Sequence, residues 1–334
     1  MPRRPLVLLL ALVLALASAG AAVAAPGGIG PPTPQTDSGQ TISQIYWVVF
    51  IICAIVFVGV ETSLILFVIR FRRRRGTPPD AEGPQIHGNT RLEIIWTIIP
   101  ALILLAIAVF VFARIPAVRA NTNVTEPLRV RVEAHQFYWQ YVYPNGAISL
   151  DDLYLPVGRT VSLEITTKDV NHSWWVPPLT GKMDAIAGQT NILHFKPEKT
   201  GTWVGQCAEL CGVQHAVMYT RVTVLDSGAY ESWVQQQASM SAADLGKEVW
   251  TAVCAKCHGF TGQGLVGPPI AGKGTLANRQ GLIKLLSQGQ DTAQFPSYMP
   301  PVGIGWNGHE YDSLIAYIKA TPELSGKGQT QSGG

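Results

Sequence analysis

Two long apolar stretches near the N-terminus constrain the fold of this chain more than any other feature. Ile45 to Ile69 and Ile94 to Phe112 are each long enough to cross the hydrocarbon core of a bilayer as a helix. A backbone in lipid must satisfy its own hydrogen bonds, which leaves the helix as the structure for such segments. We therefore predict a two-helix transmembrane hairpin over residues 43–114.

Arginines between the two stretches predict the orientation of the hairpin. Residues 70–75 hold five arginines in six positions, and loops this basic stay on the cytoplasmic side. The remainder of the chain, from about residue 115, is then expected outside the cytoplasm. Residues 1–25 have the basic flank, short apolar core and small-residue exit of a signal peptide, with an extra membrane helix as the alternative. Residues 26–42 are rich in Pro, Gly and Thr and predict a flexible leader.

Residues 115–225 have the pattern of an all-β domain. Alternating apolar and polar residues at 129–134, 160–166 and 219–225 predict short strands, which turn sequences such as Pro144-Asn-Gly146 separate. Several short strands with these spacings favour a sandwich or barrel.

The C-terminal part has a different, helical pattern. Residues 226–241 are polar and Gln-rich and predict a linker, whereas residues 242–322 predict a small all-α domain. The Gly-, Ser- and Gln-rich tail at 323–334 is expected to be disordered. The net charge of +3 over 334 residues gives no reason to expect a nucleic-acid partner.

Soft metal ligands are concentrated in the β-rich region. Two thiols four residues apart precede a histidine and a methionine within a stretch of twelve residues, and a further histidine lies upstream. This donor set suits copper. The thiol pair alone is also compatible with zinc or a disulfide, but zinc rarely takes methionine. Two bridging thiolates would hold two copper ions, each capped by one imidazole, with a thioether and a backbone carbonyl as weak ligands. The predicted ligands are His172, Cys207, Glu209 through its carbonyl, Cys211, His215 and Met218.

A second metal motif lies in the helical region. Cys254-Ala-Lys-Cys257-His258 is a haem-attachment pattern, in which the thiols form thioethers and His258 is the proximal ligand. Met299, in a proline-rich loop, is the predicted sixth ligand, because a Met/His pair suits an electron-transfer haem. Four of the five cysteines fall in the two motifs, and only Cys53 lies elsewhere.

These motifs together resemble subunit II of the haem-copper cytochrome c oxidases. The resemblance covers roughly residues 40–225 and rests on the apolar hairpin and on the segments 92–100, 136–141, 169–174 and 207–218. It implies a cupredoxin-like β-barrel with a dinuclear CuA centre. Residues 243–320 resemble a class I cytochrome c domain, and this fusion resembles the caa-type oxidases.

The resemblance also implies roles for further residues. The Glu209 carboxylate would reach a magnesium or manganese ion at the interface with subunit I, and Glu93 would lie at the mouth of a proton pathway. The alternative for Glu93 is a carboxylate that faces lipid headgroups. Phe137, Tyr138 and Trp139 would form an electron path, although the family usually has tryptophan where this chain has Phe137.

The resemblance therefore implies a proton-pumping oxidase subunit in the bacterial plasma membrane, and the arginine-rich loop places its copper and haem domains on the extracytoplasmic side. Its expected partners are subunit I, the other oxidase subunits, and an upstream donor such as a cytochrome bc complex or a soluble cytochrome c. The alternatives are the CuA-containing subunit of a nitric oxide reductase and a membrane-anchored copper-binding protein. A quinol oxidase subunit is disfavoured, because such chains typically lack the copper ligands that are present here.

Overall fold

A computed structural model describes residues 28, 30–72, 76, 78, 82, 85, 88–118, 126–290 and 299–326. The predicted signal peptide, most of the arginine-rich loop, the loop at 291–298 and the end of the tail lie outside the described residues. The contacts divide the chain into two units. One contains the two long apolar helices, and the other contains the β-rich and C-terminal helical regions.

The first unit consists of helices α1 (Asp37–Phe71) and α2 (Thr90–Val118), both long and apolar enough to cross a membrane. Helix α2 begins at a side-chain cap, since Asn89 Oδ1 accepts from the N–H groups of Arg91 and Leu92 at 3.1 and 3.2 Å. Arg114 Nη1 donates to Gln44 Oε1 at 3.1 Å and links the helices. The apolar faces of both helices are exposed, as is typical of helices that face lipid or other subunits.

The predicted flexible leader is wrong for its last residues. Helix α1 begins at Asp37, which shortens the leader by six positions. Before it, the Gln35 N–H donates to the Pro178 carbonyl at 2.8 Å. Thr36 is fully buried, and its hydroxyl donates to the Leu179 carbonyl. These contacts order the segment because they bury polar groups that must then be paired.

The second unit begins with a two-sheet sandwich, which we call the β domain (residues 126–225). One sheet has the order β3-β2-β1-β5-β8 and the other β4-β10-β9-β6-β7. Most neighbours are antiparallel, but β1 and β5 are parallel, as are β4 and β10. The strands are β1 (Leu128–His135), β2 (Tyr138–Val142), β3 (Ile148–Leu150), β4 (Asp152–Pro156), β5 (Val161–Thr167), β6 (His172–Trp175), β7 (Met183–Ala185), β8 (Asn191–Phe195), β9 (Gly201–Cys207) and β10 (Tyr219–Leu225).

The period-two pattern of the sequence explains the core of the sandwich. In β1, Leu128 and Val130 point inward whereas Arg129 and Arg131 point to solvent. Inward side chains of both sheets, among them Trp174 and Phe195, form one continuous apolar cluster. The predicted all-β, cupredoxin-like class is confirmed.

The predicted linker is in fact a helix. Helix α3 (Ser227–Ala238) begins at Asp226, whose side chain accepts from the Ala229 N–H at 2.9 Å. Tyr230 and Trp233 lie on one face of α3 and pack on the β domain, with the Trp233 ring stacked 4.3 Å from that of Tyr154. The sequence suggested a linker because exposed polar residues such as Gln235 and Gln236 stand beside the few core contacts of α3.

The remaining helices form the haem domain (residues 242–325), so the chain stays helical for three positions into the predicted disordered tail. Helix α4 (Ala242–Val249) continues through a π-helical turn (Trp250–Cys254) into α5 (Ala255–His258). A Cβ at Gly246 would lie 2.6 Å from the carbonyl carbon of Ser313, so this glycine allows α4 to cross α8 closely. The other helices are α6 (Gly274–Ala277), α7 (Arg279–Gln288), α8 (Gly308–Ala320) and α9 (Pro322–Ser325). The predicted all-α class is confirmed.

Candidate copper and haem sites

The six predicted copper ligands lie at one end of the β domain. Strand β6 begins with His172 and strand β9 ends with Cys207, and the two strands pair through Trp174 and Cys207. The loop after β9 supplies the other ligands before β10 begins at Tyr219. Hydrogen bonds from the Cys207 N–H to the Met218 carbonyl and from the Ala208 N–H to the Ser173 carbonyl, both 2.9 Å, close this loop onto the sheet.

The donor atoms surround a small space between the two thiols. The Sγ atoms of Cys207 and Cys211 are 3.9 Å apart. Cys207 Sγ lies 3.9 Å from His172 Nδ1 and 3.2 Å from the Glu209 carbonyl oxygen. Cys211 Sγ lies 3.5 Å from His215 Nδ1 and 3.8 Å from Met218 Sδ. Each thiol therefore has one imidazole and one weak donor beside it, an arrangement that fits two copper ions bridged by the thiolates.

His172 is held by a buried carboxylate. Its Nε2 lies 2.8 Å from Asp169 Oδ1, which leaves Nδ1 facing Cys207. Burial opposes ionisation of Asp169, but the hydrogen bonds from His172 and from the Gln136 N–H outweigh it, so the pKa of Asp169 is lowered. A carboxylate behind an imidazole fixes the tautomer and leaves the other nitrogen free for a metal.

The two thiols share one environment and ionise unequally. A hydrogen bond between them lowers the pKa of Cys207 and raises the pKa of Cys211, because the first charge is stabilised and the second is repelled. Cys207 also has the His172 ring and the Ser173 backbone as hydrogen-bond partners. A cation between the sulfurs would allow both to be thiolates, as metal binding requires.

Within the described residues, His172, Cys207 and Cys211 form the one group of three or more His, Cys, Asp or Glu side chains close enough to share a metal ion. Glu209 points its two functional groups in different directions. Its carbonyl faces Cys207, whereas its side chain is exposed to solvent. Among the described residues, Glu209 belongs to no group of three or more His, Cys, Asp or Glu side chains that could hold a metal ion.

A cavity of about 800 Å³ lies in the haem domain beside the predicted attachment motif. Cys254, Cys257, His258 and Met299 all line it, together with apolar side chains of α7 and α8. Its size and mostly apolar lining are those of a cofactor site. The four residues that the sequence assigns to haem therefore face one cavity.

His258 is oriented for a metal on its Nε2. Its Nδ1 lies 2.8 Å from the Pro268 carbonyl, so Nδ1 carries the proton and donates. Burial lowers the pKa of His258 and favours the neutral imidazole that a metal needs. A Cβ at Gly267 would lie 2.9 Å from the ring, so this glycine lets the backbone pass close to the imidazole.

Met299 is held at the edge of the same cavity by its backbone. It forms an isolated antiparallel bridge with Gln290, with N–H to carbonyl distances of 3.0 and 2.9 Å. Gly289 precedes this bridge with a φ of +71°, a conformation that favours glycine. The bridge closes the base of the loop whose residues 291–298 lie outside the described part of the chain.

The structure separates the members of the predicted aromatic path. Phe137 lines the haem cavity. Trp139 is buried in the β domain, with its ring centroid 6.1 Å from that of His172. Tyr138 faces the haem domain, where its hydroxyl donates to the Val302 carbonyl at 2.9 Å and accepts from Trp306 Nε1 at 2.6 Å. Alternation along β2 puts Tyr138 and Trp139 on opposite faces.

Glu93 lies in the first turn of α2 and is exposed.

Sequence reasoning assigned no role to two residues that support the copper site. Asp169 stands three residues before His172, a spacing that could have suggested the pair. Gln136 Nε2 donates to the Cys211 carbonyl at 2.5 Å, and its backbone N–H donates to Asp169 Oδ2 at 2.7 Å. Nothing in the sequence suggests the Gln136 contact, because it joins segments 75 positions apart.

Three protein families match successive parts of the chain. Residues 26–113 match the cytochrome c oxidase subunit II transmembrane domain, and residues 147–225 match the periplasmic domain of the same subunit. Residues 241–318 match the family described as cytochrome c oxidase, cbb3-type, subunit III. The three matches follow the apolar helices, the β domain and the haem domain in order.

Curated relatives agree with these matches. Cytochrome c oxidase subunit 2 of Alkalihalophilus pseudofirmus is 35% identical, over 71% of this chain and 72% of the relative. The protein of the same name from Cereibacter sphaeroides is 30% identical, over 63% of this chain and 80% of the relative. Quinol oxidase subunit 2 of Bacillus subtilis is also 30% identical, over 74% and 75%. With its apolar helices, its clustered soft ligands and its added haem domain, the chain belongs to the cytochrome c oxidase subunit II family, as a member fused to a cytochrome c domain.

Proposed function

We propose that this chain is the electron-input subunit of a proton-pumping cytochrome c oxidase. Electrons pass from a covalent haem c to a dinuclear copper centre, and from there to the oxygen-reducing site of subunit I. One observation carries this proposal. The haem cavity is lined on one side by Gln136 and Gln214, and these residues directly contact or adjoin the copper ligands Cys211 and His215.

The copper ligands divide into strong and weak donors. Cys207 and Cys211 would supply the thiolates, and His172 and His215 would bind through Nδ1, the ring nitrogen that lies beside each thiol. Met218 and the Glu209 carbonyl are the weak donors, the kind of ligand that tunes a potential. The protein's contribution is to hold these groups rigidly, so that gain or loss of an electron changes their positions little.

The haem ligands act in the same way. Cys254 and Cys257 would attach the group covalently, and His258 and Met299, which line the same cavity, would bind its iron. A haem with Met/His ligation accepts and donates single electrons at a raised potential. The hydrogen bond from His258 Nδ1 to the Pro268 carbonyl holds the imidazole in the orientation that this ligation needs.

The arginines at the end of α1 support the proposed orientation, with both soluble domains outside the cytoplasm. A donor such as a cytochrome bc complex or a soluble cytochrome c would then reach the haem domain from that side. Leu210 on the copper loop is 79% exposed. An apolar side chain this exposed supports a contact with subunit I at the copper end of the β domain.

We further propose that the carboxylates of Glu209 and Glu93 take part in metal-ion binding and in proton uptake, respectively. The Glu209 side chain points away from the copper ligands and is free to bind magnesium or manganese together with groups of subunit I. Glu93 lies at the start of α2, a position that fits proton uptake at the membrane boundary. The resemblance to oxidase subunits supports both roles.

Family membership alone leaves the reductant open, since one relative is named as a quinol oxidase subunit. The complete set of six copper donors and the lined haem cavity favour a cytochrome-type route. The nitric oxide reductase alternative shares the copper motif and differs in the catalytic partner. Oxygen uptake with the purified complex, measured alongside nitric oxide consumption, separates these two.

The first test is low-temperature EPR of the complex purified from native membranes, with copper and haem quantified per chain. Two copper ions that share one unpaired electron, seen as a seven-line hyperfine pattern, and one covalent haem are the expected result. A four-line pattern from a single labile copper, or zinc in its place, would refute the proposal and favour a copper-binding role.

A further inference from the structure

The haem-attachment motif contacts the β domain directly beside the copper ligands. The haem cavity lies between the haem domain and four residues of the β domain, namely Gln136, Phe137, Val213 and Gln214. Gln214 and Cys257 both line this cavity, and Gln214 immediately precedes His215. The same β-domain residues therefore lie between the haem cavity and the copper ligands, and the distance between the two sites depends on how the attachment motif is held.

Lys256 forms a charged contact between the attachment motif and the β domain. It stands between the two attachment cysteines, on the short helix α5. Its Nζ donates to the Phe137 carbonyl at 2.9 Å and to Asp151 Oδ2 at 2.6 Å. The side chains of Lys256 and Asp151 are only 22% and 21% exposed, so solvent competes weakly for these bonds.

Both acceptors of Lys256 are themselves fixed to the β domain. Asp151 Oδ1 accepts from the Trp139 N–H at 3.0 Å, and the Asp151 N–H donates to the Trp139 carbonyl at 2.7 Å. Phe137 follows Gln136, which donates to the Cys211 carbonyl and to Asp169. A short series of bonded residues therefore runs from the attachment motif to the groups that hold the copper ligands.

The other contacts between the two domains lie further from the attachment motif. Tyr138 bonds Val302 and Trp306, and Gln140 Nε2 donates to Glu310 Oε1 at 2.6 Å. These bonds hold the segment around the start of α8 against the β domain. They involve α8 and the loop before it, whereas the Lys256 bonds start from the attachment helix α5 itself.

We propose that Lys256 is a positioning residue, which fixes the haem-attachment helix against the turn between β1 and β2 and so sets the separation of the haem from the copper ligands. The proposal rests on the proposed electron transfer between the two centres. Because Lys256 also closes the face of the β domain at Phe137, the fused haem occupies that face and an external donor reaches the chain through the haem domain.

The test uses the assembled oxidase with Lys256→Met, which keeps the apolar stem and removes the ammonium. Loss of charge-assisted hydrogen bonds of this kind is expected to weaken the docking of the attachment helix by about tenfold or more. Pulsed EPR between the oxidised haem and the copper pair should then show a broader and longer distance distribution. Copper reduction after rapid reduction of the haem should slow by a similar factor, with unchanged haem and copper content and unchanged potentials.

Lys247→Met is the matched control, because Lys247 lies exposed on α4 of the same domain. It should leave both the distance distribution and the rate as in the unaltered chain. Lys256→Arg should restore most of both, since arginine can still donate to Phe137 and Asp151. Asp151→Asn leaves the attachment motif unaltered and should reproduce part of the effect, which keeps the test decisive if Lys256→Met fails to mature.

The outcomes separate the positioning role from the proposed function. An unchanged distance distribution and rate in both Lys256→Met and Asp151→Asn would overturn the positioning role while leaving electron transfer intact. Absence of haem-to-copper transfer, or of the copper pair, in the unaltered complex would instead overturn the proposed function. Changed potentials with an unchanged distance would assign Lys256 an electrostatic role and would also contradict the proposal.

Discussion

Replacement of Asp169 by alanine tests the support of the copper site most directly. Asp169 Oδ1 accepts from His172 Nε2 at 2.8 Å and from the Val170 N–H at 2.7 Å, and Oδ2 accepts from the Gln136 N–H at 2.7 Å. The Asp169 side chain is 6% exposed, so water replaces these bonds poorly. Asp169→Ala therefore frees the His172 ring and leaves the N–H groups of Gln136 and Val170 without this acceptor.

The expected loss follows from the role of a carboxylate behind a metal-binding histidine. Removal of such a partner typically lowers metal affinity by about 10- to 100-fold, or about 1.4–2.7 kcal/mol. Asp169→Asn should have a smaller effect on copper, because its amide oxygen can still accept from His172. Its amide nitrogen then faces the Gln136 N–H, and this unpaired contact should lower stability by about 1–3 kcal/mol.

The assay is a competitive copper titration of the full chain against a chelator of known affinity, with EPR to follow the paired copper. Asp152→Ala is the control, since Asp152 pairs with Arg221 at the surface of the same domain at 2.7 Å. Loss of a supporting group lowers copper affinity by about tenfold or more. If the affinity of Asp169→Ala stays within about twofold of that of the unaltered chain, the role assigned to Asp169 is refuted.

Three further changes address the ligands and the haem-domain core. Cys207→Ser should abolish the paired-copper EPR signal and leave the covalent haem absorbance; a surviving signal would contradict the ligand assignment. Met299→Ala should lower the haem midpoint potential in a redox titration, and an unchanged potential would point to another sixth ligand. Gly246→Ala should lower the free energy of unfolding of the haem domain by about 1–3 kcal/mol in denaturant melts, because its Cβ meets the Ser313 backbone, which cannot turn away. Gly308→Ala, at the start of α8 with no atom within 4 Å of the added Cβ, is its control and should be neutral or stabilising.

The sequence predicted the classes of structure well, because each class has its own period. Long apolar runs predicted the two long helices, and alternation of apolar and polar residues predicted the strands of the β domain. Helical spacing of apolar residues predicted α4, α7 and α8. The linker was mistaken, since α3 is held by core contacts of Tyr230, Trp233 and Val234 that composition does not reveal. The leader was mistaken at its end, because Thr36 is ordered by carbonyl groups far along the chain.

The candidate ligands were also predictable, because thiols, imidazoles and thioethers at short spacings have few other uses. The residues that support these ligands were not predictable from the sequence. Asp169 lies within a segment that the sequence singled out, yet its role depends on where both of its oxygens point. The aromatic run stays a predicted electron path, and the sequence did not reveal that Tyr138 and Trp139 lie on opposite faces of β2.

By itself, the sequence determined which segments are helical or extended and which side chains can bind copper and haem, since periodicity and ligand chemistry are local properties. Only the tertiary structure decided which backbone groups hold those ligands and which face of the β domain meets the haem domain. Lys256 shows the difference. Its place between two attachment cysteines is visible in the sequence, but its partners Phe137 and Asp151 lie more than a hundred positions away. Contacts over such separations depend on how the strands and helices pack, and no local pattern encodes them.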